Sequence, residues 1–171
     1  MVRILQPFQA SWIDYPDNES IAIPVCLMGC DNGCPKCQNP EFQNPNYSEL
    51  TEDLTVDELI EHLKVFAHRN RTNKIVLSGG DPLAPCNIEY TKDFLQKAQF
   101  DICIYTGHSI DYVKEHNIKG FKFIKCGKFD YSKFRESSKD DEKMVFASPN
   151  QELYDQNYNL LSKDGVYYFN N

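Results

Sequence analysis

The chain has 171 residues, of which 41% are hydrophobic and 13% aromatic, and its formal net charge is −7. This length and composition predict a single globular domain over residues 1–171. The acidic balance argues against direct binding of nucleic acid, which requires clustered Lys and Arg. No apolar run is long enough to span a bilayer and the amino terminus lacks a secretory signal, so we expect a cytoplasmic protein without membrane contact.

Helices are predicted between successive strands. The first predicted strand covers residues 21–26 and leads into a polar loop. Pro24 cannot donate a ladder hydrogen bond, so we expect this strand to lie at an edge or to carry a bulge. Thr55 opens a capping-box pattern that is followed by apolar residues at helical spacing. Asn87 is expected to cap a second helix, and a third is predicted over residues 109–116.

Three further strands are predicted from short apolar runs over residues 74–78, 102–105 and 122–126. Alternating strands and helices imply a mainly parallel sheet. Because 171 residues are too few for a closed eight-stranded barrel, we expect an α/β fold with an incomplete (β/α) barrel, in which the cysteine loop follows the first strand. A charged loop is expected over residues 137–143, and a hairpin over residues 160–169.

Three of the seven cysteines lie close together in the polar loop. Cys30, Cys34 and Cys37 have the spacing C-x3-C-x2-C. An iron–sulfur cluster held by three thiolates keeps one iron open to another ligand, which suits a reaction at the cluster. The alternative is a four-cysteine zinc site that includes Cys26, although zinc sites usually pair two C-x2-C knuckles and this chain has one. Cys103 lies in an apolar run and is expected to be a small core residue.

Two turns that follow predicted strands are further candidates for a binding site. Gly79 and Gly80 would let the backbone approach a ligand closely, and Asp81 could pair with an ammonium group, although the same residues also suit an ordinary turn. Tyr105 ends the next strand, and Thr106 begins the turn that follows it. Because ligands gather at the carboxyl ends of parallel strands, we expect both turns and the cysteine loop to converge on one site.

These motifs resemble those of the radical S-adenosylmethionine (SAM) enzymes. Residues 37–41, Cys-Gln-Asn-Pro-Glu, resemble a motif of the glycyl-radical-enzyme activases. Residues 11–16 resemble the lead-in of the anaerobic ribonucleotide reductase activating proteins, and residues 148–154 resemble their carboxyl-terminal segment. Lys36 departs from the pattern, because many radical SAM enzymes have an aromatic residue against the adenine at this position.

The resemblance implies a [4Fe–4S] cluster and SAM as cofactors, with no protein side chain acting as an acid or base. The cluster would be held by Cys30, Cys34 and Cys37. The SAM-binding residues would be Lys36, Gly79, Gly80, Asp81, Tyr105 and Thr106. The implied partners are the large subunit of anaerobic ribonucleotide reductase, on which a glycyl radical would be generated, and a flavodoxin or ferredoxin as reductant.

Two other functions are compatible with parts of the sequence. One is a radical SAM enzyme of the 7-carboxy-7-deazaguanine synthase type, which acts on a small molecule. The other is a zinc-binding interaction module without catalysis. The Asn-Pro-Glu sequence after Cys37 and the Asn150-Gln151 segment favour the activase over the synthase.

Overall fold

A seven-stranded sheet carries the main hydrophobic core in the computed structural model, which describes residues 1–18 and 21–169. Its strands are β1 (Val2–Leu5), β2 (Ile23–Leu27), β3 (Thr51–Leu54), β4 (Lys74–Gly79), β5 (Asp101–Tyr105), β6 (Phe123–Cys126) and β9 (Glu152–Asp155). A smaller sheet contains β7 (Ser138–Lys139), β8 (Lys143–Val145) and β10 (Val166–Tyr168). The helices are α1 (Val56–Asn70), α2 (Ile88–Lys97), α3 (Ile110–Glu115) and two 3₁₀ turns, Pro40–Gln43 and Tyr131–Lys133.

The strand order in the large sheet is β3-β1-β2-β4-β5-β6-β9. The four central strands, β2, β4, β5 and β6, run parallel, while β1, β3 and β9 are antiparallel to their neighbours. Helices α1, α2 and α3 each lie between two successive parallel strands along the chain. The structure thus confirms an α/β fold with a parallel central sheet, while the incomplete barrel and the single domain over residues 1–171 stay predictions.

The predicted helix starts are correct, but one capping residue has a different role. The Thr55 hydroxyl accepts a hydrogen bond from the Glu58 amide, and the Glu58 carboxylate accepts one from the Thr55 amide, so the capping box is confirmed. Ser109 caps α3 through its side chain. Asn87 occupies the cap position of α2, but its side chain makes no capping hydrogen bond. It donates instead to three backbone carbonyls beside the candidate site, those of Met28, Gly29 and Asp81.

The expectation that Pro24 would place its strand at an edge or a bulge is wrong. β2 lies inside the sheet between β1 and β4, with Pro24 opposite Val76. Proline is tolerated here because β1 ends at Leu5 and pairs with β2 only near Leu27, so no β1 partner faces Pro24. The cysteine loop follows the second strand of the chain, β2, and not the first as expected, because the unpredicted strand β1 precedes β2.

Two predictions in the carboxyl-terminal third are also wrong. The expected charged loop over residues 137–143 contains β7 and the first residue of β8. The expected hairpin over residues 160–169 is not a pair of adjacent strands, because β10 pairs with β8 of the preceding segment. The backbone pairing inside residues 160–169 is limited to an isolated bridge between Lys163 and Val166. Sequence patterns show which residues favour strands but not which distant strand completes the ladder.

Candidate functional site

A cavity of about 560 Å³ lies where the carboxyl ends of β2, β4, β5 and β6 meet. Its volume is in the range of small-molecule sites in proteins. Eight of the nine predicted site residues line it, namely Cys30, Cys34, Cys37, Gly79, Gly80, Asp81, Tyr105 and Thr106. The parallel topology therefore brings the cysteine loop and both turns together, as the argument from strand ends predicts.

Lys36 is the predicted residue that the structure does not bring to this cavity. Its ammonium group lies 3.1 Å from the Tyr131 hydroxyl and 4.3 Å from the centroid of the same ring. This hydrogen bond and cation–π contact account for the position of the side chain. The cofactor-binding role expected for Lys36 stays a prediction.

The three loop cysteines are free thiols that are partly buried. Burial raises the pKa of the Cys30 and Cys34 thiols, and the charges of Cys30 and Cys37 raise that of Cys34 further. In residues 1–18 and 21–169, no three His, Cys, Asp or Glu side chains are arranged to hold a single metal ion. The donor set suits an iron–sulfur cluster, because Cys30, Cys34 and Cys37 line one cavity and thiolates are the usual ligands of iron in such clusters.

Hydrogen-bond donors already point at two of these sulfurs. The backbone amide and the side-chain amide of Asn32 each lie 3.4 Å from Cys30 Sγ. A backbone hydrogen bond from Phe129 lowers the pKa of Cys34. N–H donors to thiolate sulfurs stabilise negative charge and tune the potential of a bound cluster. These donors fit a group whose ligands are thiolates.

Asp81 is almost fully buried at the centre of a hydrogen-bond network. Its carboxylate accepts hydrogen bonds from the amides of Leu83 and Gly107, the hydroxyl of Thr106 and the side chain of Asn32. Burial raises the pKa of Asp81, and these hydrogen bonds oppose that effect. A carboxylate has about four acceptor positions, so Asp81 has little capacity left for the ammonium group predicted to pair with it.

The two glycines of the first turn are required by packing within the protein. Gly79 has φ +105°, and a Cβ atom there would lie 2.6 Å from the backbone nitrogen of Leu27. A Cβ atom at Gly80 would overlap the carbonyl oxygens of Gly29 and Phe42. The turn therefore packs directly against the start of the cysteine loop, which the sequence argument about ligand approach did not foresee.

Asn32 and Lys125 were not predicted to be site residues, although both line the cavity. The only sequence signal for Asn32 is its position between two cluster cysteines. Lys125 lies between Ile124 and Cys126, which are both buried in the main core. Since side chains alternate across a strand, a lysine between two core residues points to the opposite face, and that alternation was the available signal.

The family of the chain follows from a comparison with known protein families. The family model described as a 4Fe-4S single cluster domain matches residues 20–154. This chain belongs to the 4Fe-4S single cluster domain family. The matched region contains the three loop cysteines and both turns. This match supports the expected iron–sulfur cluster and disfavours the zinc alternative.

Curated relatives of this 4Fe-4S domain protein confirm the resemblance to activating proteins. The anaerobic ribonucleoside-triphosphate reductase-activating protein of Haemophilus influenzae is 29% identical over 103 residues, which are 57% of this chain and 65% of that protein. The protein of the same name from Escherichia coli K12 is 27% identical over 104 residues, 58% of this chain and 66% of its own length. The aligned segment thus spans just under two thirds of each relative.

Among solved structures, QueE from Escherichia coli is similar with a TM-score of 0.43 and 17% identity. The similarity covers 62% of this chain and 53% of QueE. No helix within the described residues is both long enough and apolar enough to cross a membrane.

Proposed function

We propose that this protein is a radical SAM activase that generates a glycyl radical on anaerobic ribonucleoside-triphosphate reductase. The observation that carries the proposal is the cavity itself, in which three cysteines, a Gly-Gly turn and the Thr106 turn lie together at the ends of four parallel strands. The named relatives support the choice of reductase as the partner.

In this proposal Cys30, Cys34 and Cys37 hold a [4Fe–4S] cluster. A cluster held there would supply the one electron that cleaves the sulfonium carbon–sulfur bond of SAM, giving methionine and a 5′-deoxyadenosyl radical. Such a radical would take a hydrogen atom from a glycine Cα of the reductase, leaving 5′-deoxyadenosine and the glycyl radical. The electron comes from a flavodoxin or ferredoxin.

The residues of the chain bind and orient the reactants. The backbone of Gly79 and Gly80 faces the cavity and would bind the polar methionine end of SAM. Asp81 would act mainly by holding the cysteine loop against the Thr106 turn, because its carboxylate is occupied by protein donors. Tyr105 and Thr106 would border the ligand. No acid or base is required from the protein, because the transferred species is a hydrogen atom.

The experiment that tests the proposal is anaerobic electron paramagnetic resonance. Protein reconstituted with iron and sulfide is mixed with SAM, a one-electron reductant and the reductase large subunit from the same source. We expect a glycyl radical signal that requires all components, together with one 5′-deoxyadenosine per radical. A reductase variant whose radical glycine is changed to alanine is the matched control.

Other outcomes would favour a different function. Cleavage of SAM with turnover of a small heterocyclic substrate and no glycyl signal would indicate a synthase of the deazaguanine type. A colourless protein that carries zinc and no iron would contradict the proposal altogether.

A further inference from the structure

In the part of the chain that the structure describes, Lys125 is a cationic side chain that faces the candidate site without forming an ion pair. It lies in β6 and lines the same cavity as the cluster cysteines. Its ammonium nitrogen lies 3.8 Å from the centroid of the Tyr105 ring and 5.5 Å from that of Phe146. The aromatic faces thus hold the charged end of the side chain inside the cavity.

Within residues 1–18 and 21–169, the Lys125 ammonium group makes no hydrogen bond or ion pair. The nearby Asp14 carboxylate acts on it electrostatically but does not form an ion pair with it. Lys139, which also lines the cavity, is different, because its ammonium group donates to the carbonyls of Trp12 and Tyr15. A partly desolvated cation without an anion is costly, and cation–π contacts offset only part of that cost.

The geometry points to Lys125 as the residue that binds a carboxylate group entering this cavity. The inference rests on the proposed function, which supplies two sources of carboxylate: the methionine end of SAM, or an acidic side chain on the segment of the reductase that reaches the site. The carboxylate is the only anionic group of SAM, whereas its sulfonium is cationic. Lys125 would therefore attract one end of SAM and repel its reacting centre, which favours one orientation.

The test compares SAM with decarboxylated SAM, which lacks only the carboxylate. Dissociation constants are measured anaerobically by equilibrium dialysis on reconstituted protein, without turnover. For the Lys125→Met variant we expect SAM to bind about 10- to 100-fold more weakly, the effect of losing one charge-assisted hydrogen bond. Decarboxylated SAM should bind equally to the wild type and to this variant. Lys125→Arg should restore part of the SAM affinity.

Lys122→Met is the matched control, because Lys122 precedes the same strand but lies on the surface near Asp101. It should bind both ligands like the wild type. The urea midpoint of each apoprotein separates loss of binding from loss of folding. Lys125→Met should be at least as stable as the wild type near pH 7, since it removes an unpaired, desolvated charge.

The outcomes distinguish the two carboxylate sources and the underlying function. Unchanged SAM affinity with at least tenfold weaker binding of the reductase would assign the carboxylate to the partner. If Lys125→Met changes neither affinity, the inference is wrong while the proposed function stands. If wild-type protein takes up iron but binds no SAM, the proposed function itself fails and the inference falls with it.

Discussion

The side-chain amide of Asn32 donates a hydrogen bond of 2.7 Å to the carboxylate of Asp81. The same amide group lies 3.4 Å from Cys30 Sγ. Asp81 in turn binds the Thr106 hydroxyl and the Gly107 amide. The Asn32 side chain therefore connects a proposed cluster ligand, Cys30, to Asp81 and, through Asp81, to the Thr106 turn. A substitution in either turn is expected to alter the surroundings of the cluster.

Replacing Asn32 with alanine is expected to lower the reduction potential of the cluster. The N–H donor stabilises negative charge on the Cys30 thiolate, and that charge is greater in the reduced state. Losing about 0.5–1.5 kcal/mol of this stabilisation of the reduced state corresponds to roughly 20–60 mV for one electron. A redox titration followed by electron paramagnetic resonance measures the shift directly.

Asn39→Ala is the matched control for this prediction. Asn39 also lines the cavity, but within the described residues its side chain makes no hydrogen bond to a cysteine sulfur. Its removal should leave the potential unchanged. Equal shifts in the two variants would mean that the effect comes from solvent entry and not from the Asn32 donor.

A methyl group at Gly80 is expected to prevent normal cluster assembly. It would overlap the carbonyl oxygens of Gly29 and Phe42 and push the start of the cysteine loop away from the turn. Gly33 provides the comparison, because a Cβ atom there meets nothing within 4 Å, although its φ of +56° gives any replacement a modest strain. Iron per chain after reconstitution should drop sharply in Gly80→Ala and stay near the wild-type value in Gly33→Ala.

The parallel part of the fold could be predicted from local patterns. The capping box at Thr55 and the apolar run of β4 depend on neighbours in sequence, and both were predicted within a residue or two. The position of Pro24 inside the sheet could not be predicted, because it depends on where β1 ends. Likewise, the pairing of β10 with β8 is a long-range choice with no local signal.

The membership of the site was predictable, but the division of roles within it was not. Topology places the ends of parallel strands together, so Cys30 and Thr106 could be assigned to one cavity from their positions alone. The sequence shows that residue 81 is an aspartate, but it does not show that donors within the protein already occupy the carboxylate. The alternation of side chains along β6 could place Lys125 on the cavity side of the sheet, but the sequence does not show that Lys125 forms no ion pair within the described residues.

Serine at Cys34 should abolish the cluster, whereas serine at Cys103 should not. Cys34 lines the cavity, while Cys103 is fully buried in a separate apolar cluster with Tyr15 and Val76. A buried hydroxyl in place of the Cys103 thiol should cost about 1–3 kcal/mol of unfolding free energy. Iron and sulfide content and SAM cleavage are measured for both variants, and loss of iron in both at equal soluble yield would mean that the ligands are misassigned.

The contribution of Lys125 to ligand binding is expected to be lost as the pH rises through about 8. Burial lowers the pKa of this lysine from 10.5 to about 8, and this effect outweighs the opposing charge of the Asp14 carboxylate. A bound carboxylate favours the protonated form, so the contribution is complete below the pKa of the free protein and declines above it. Dividing the SAM dissociation constant of Lys125→Met by that of the wild type cancels titration of the ligand's own amino group. This ratio should be about tenfold or more near pH 7 and approach one near pH 9.5. A ratio that does not change over this range would show that the Lys125 charge does not act on the carboxylate.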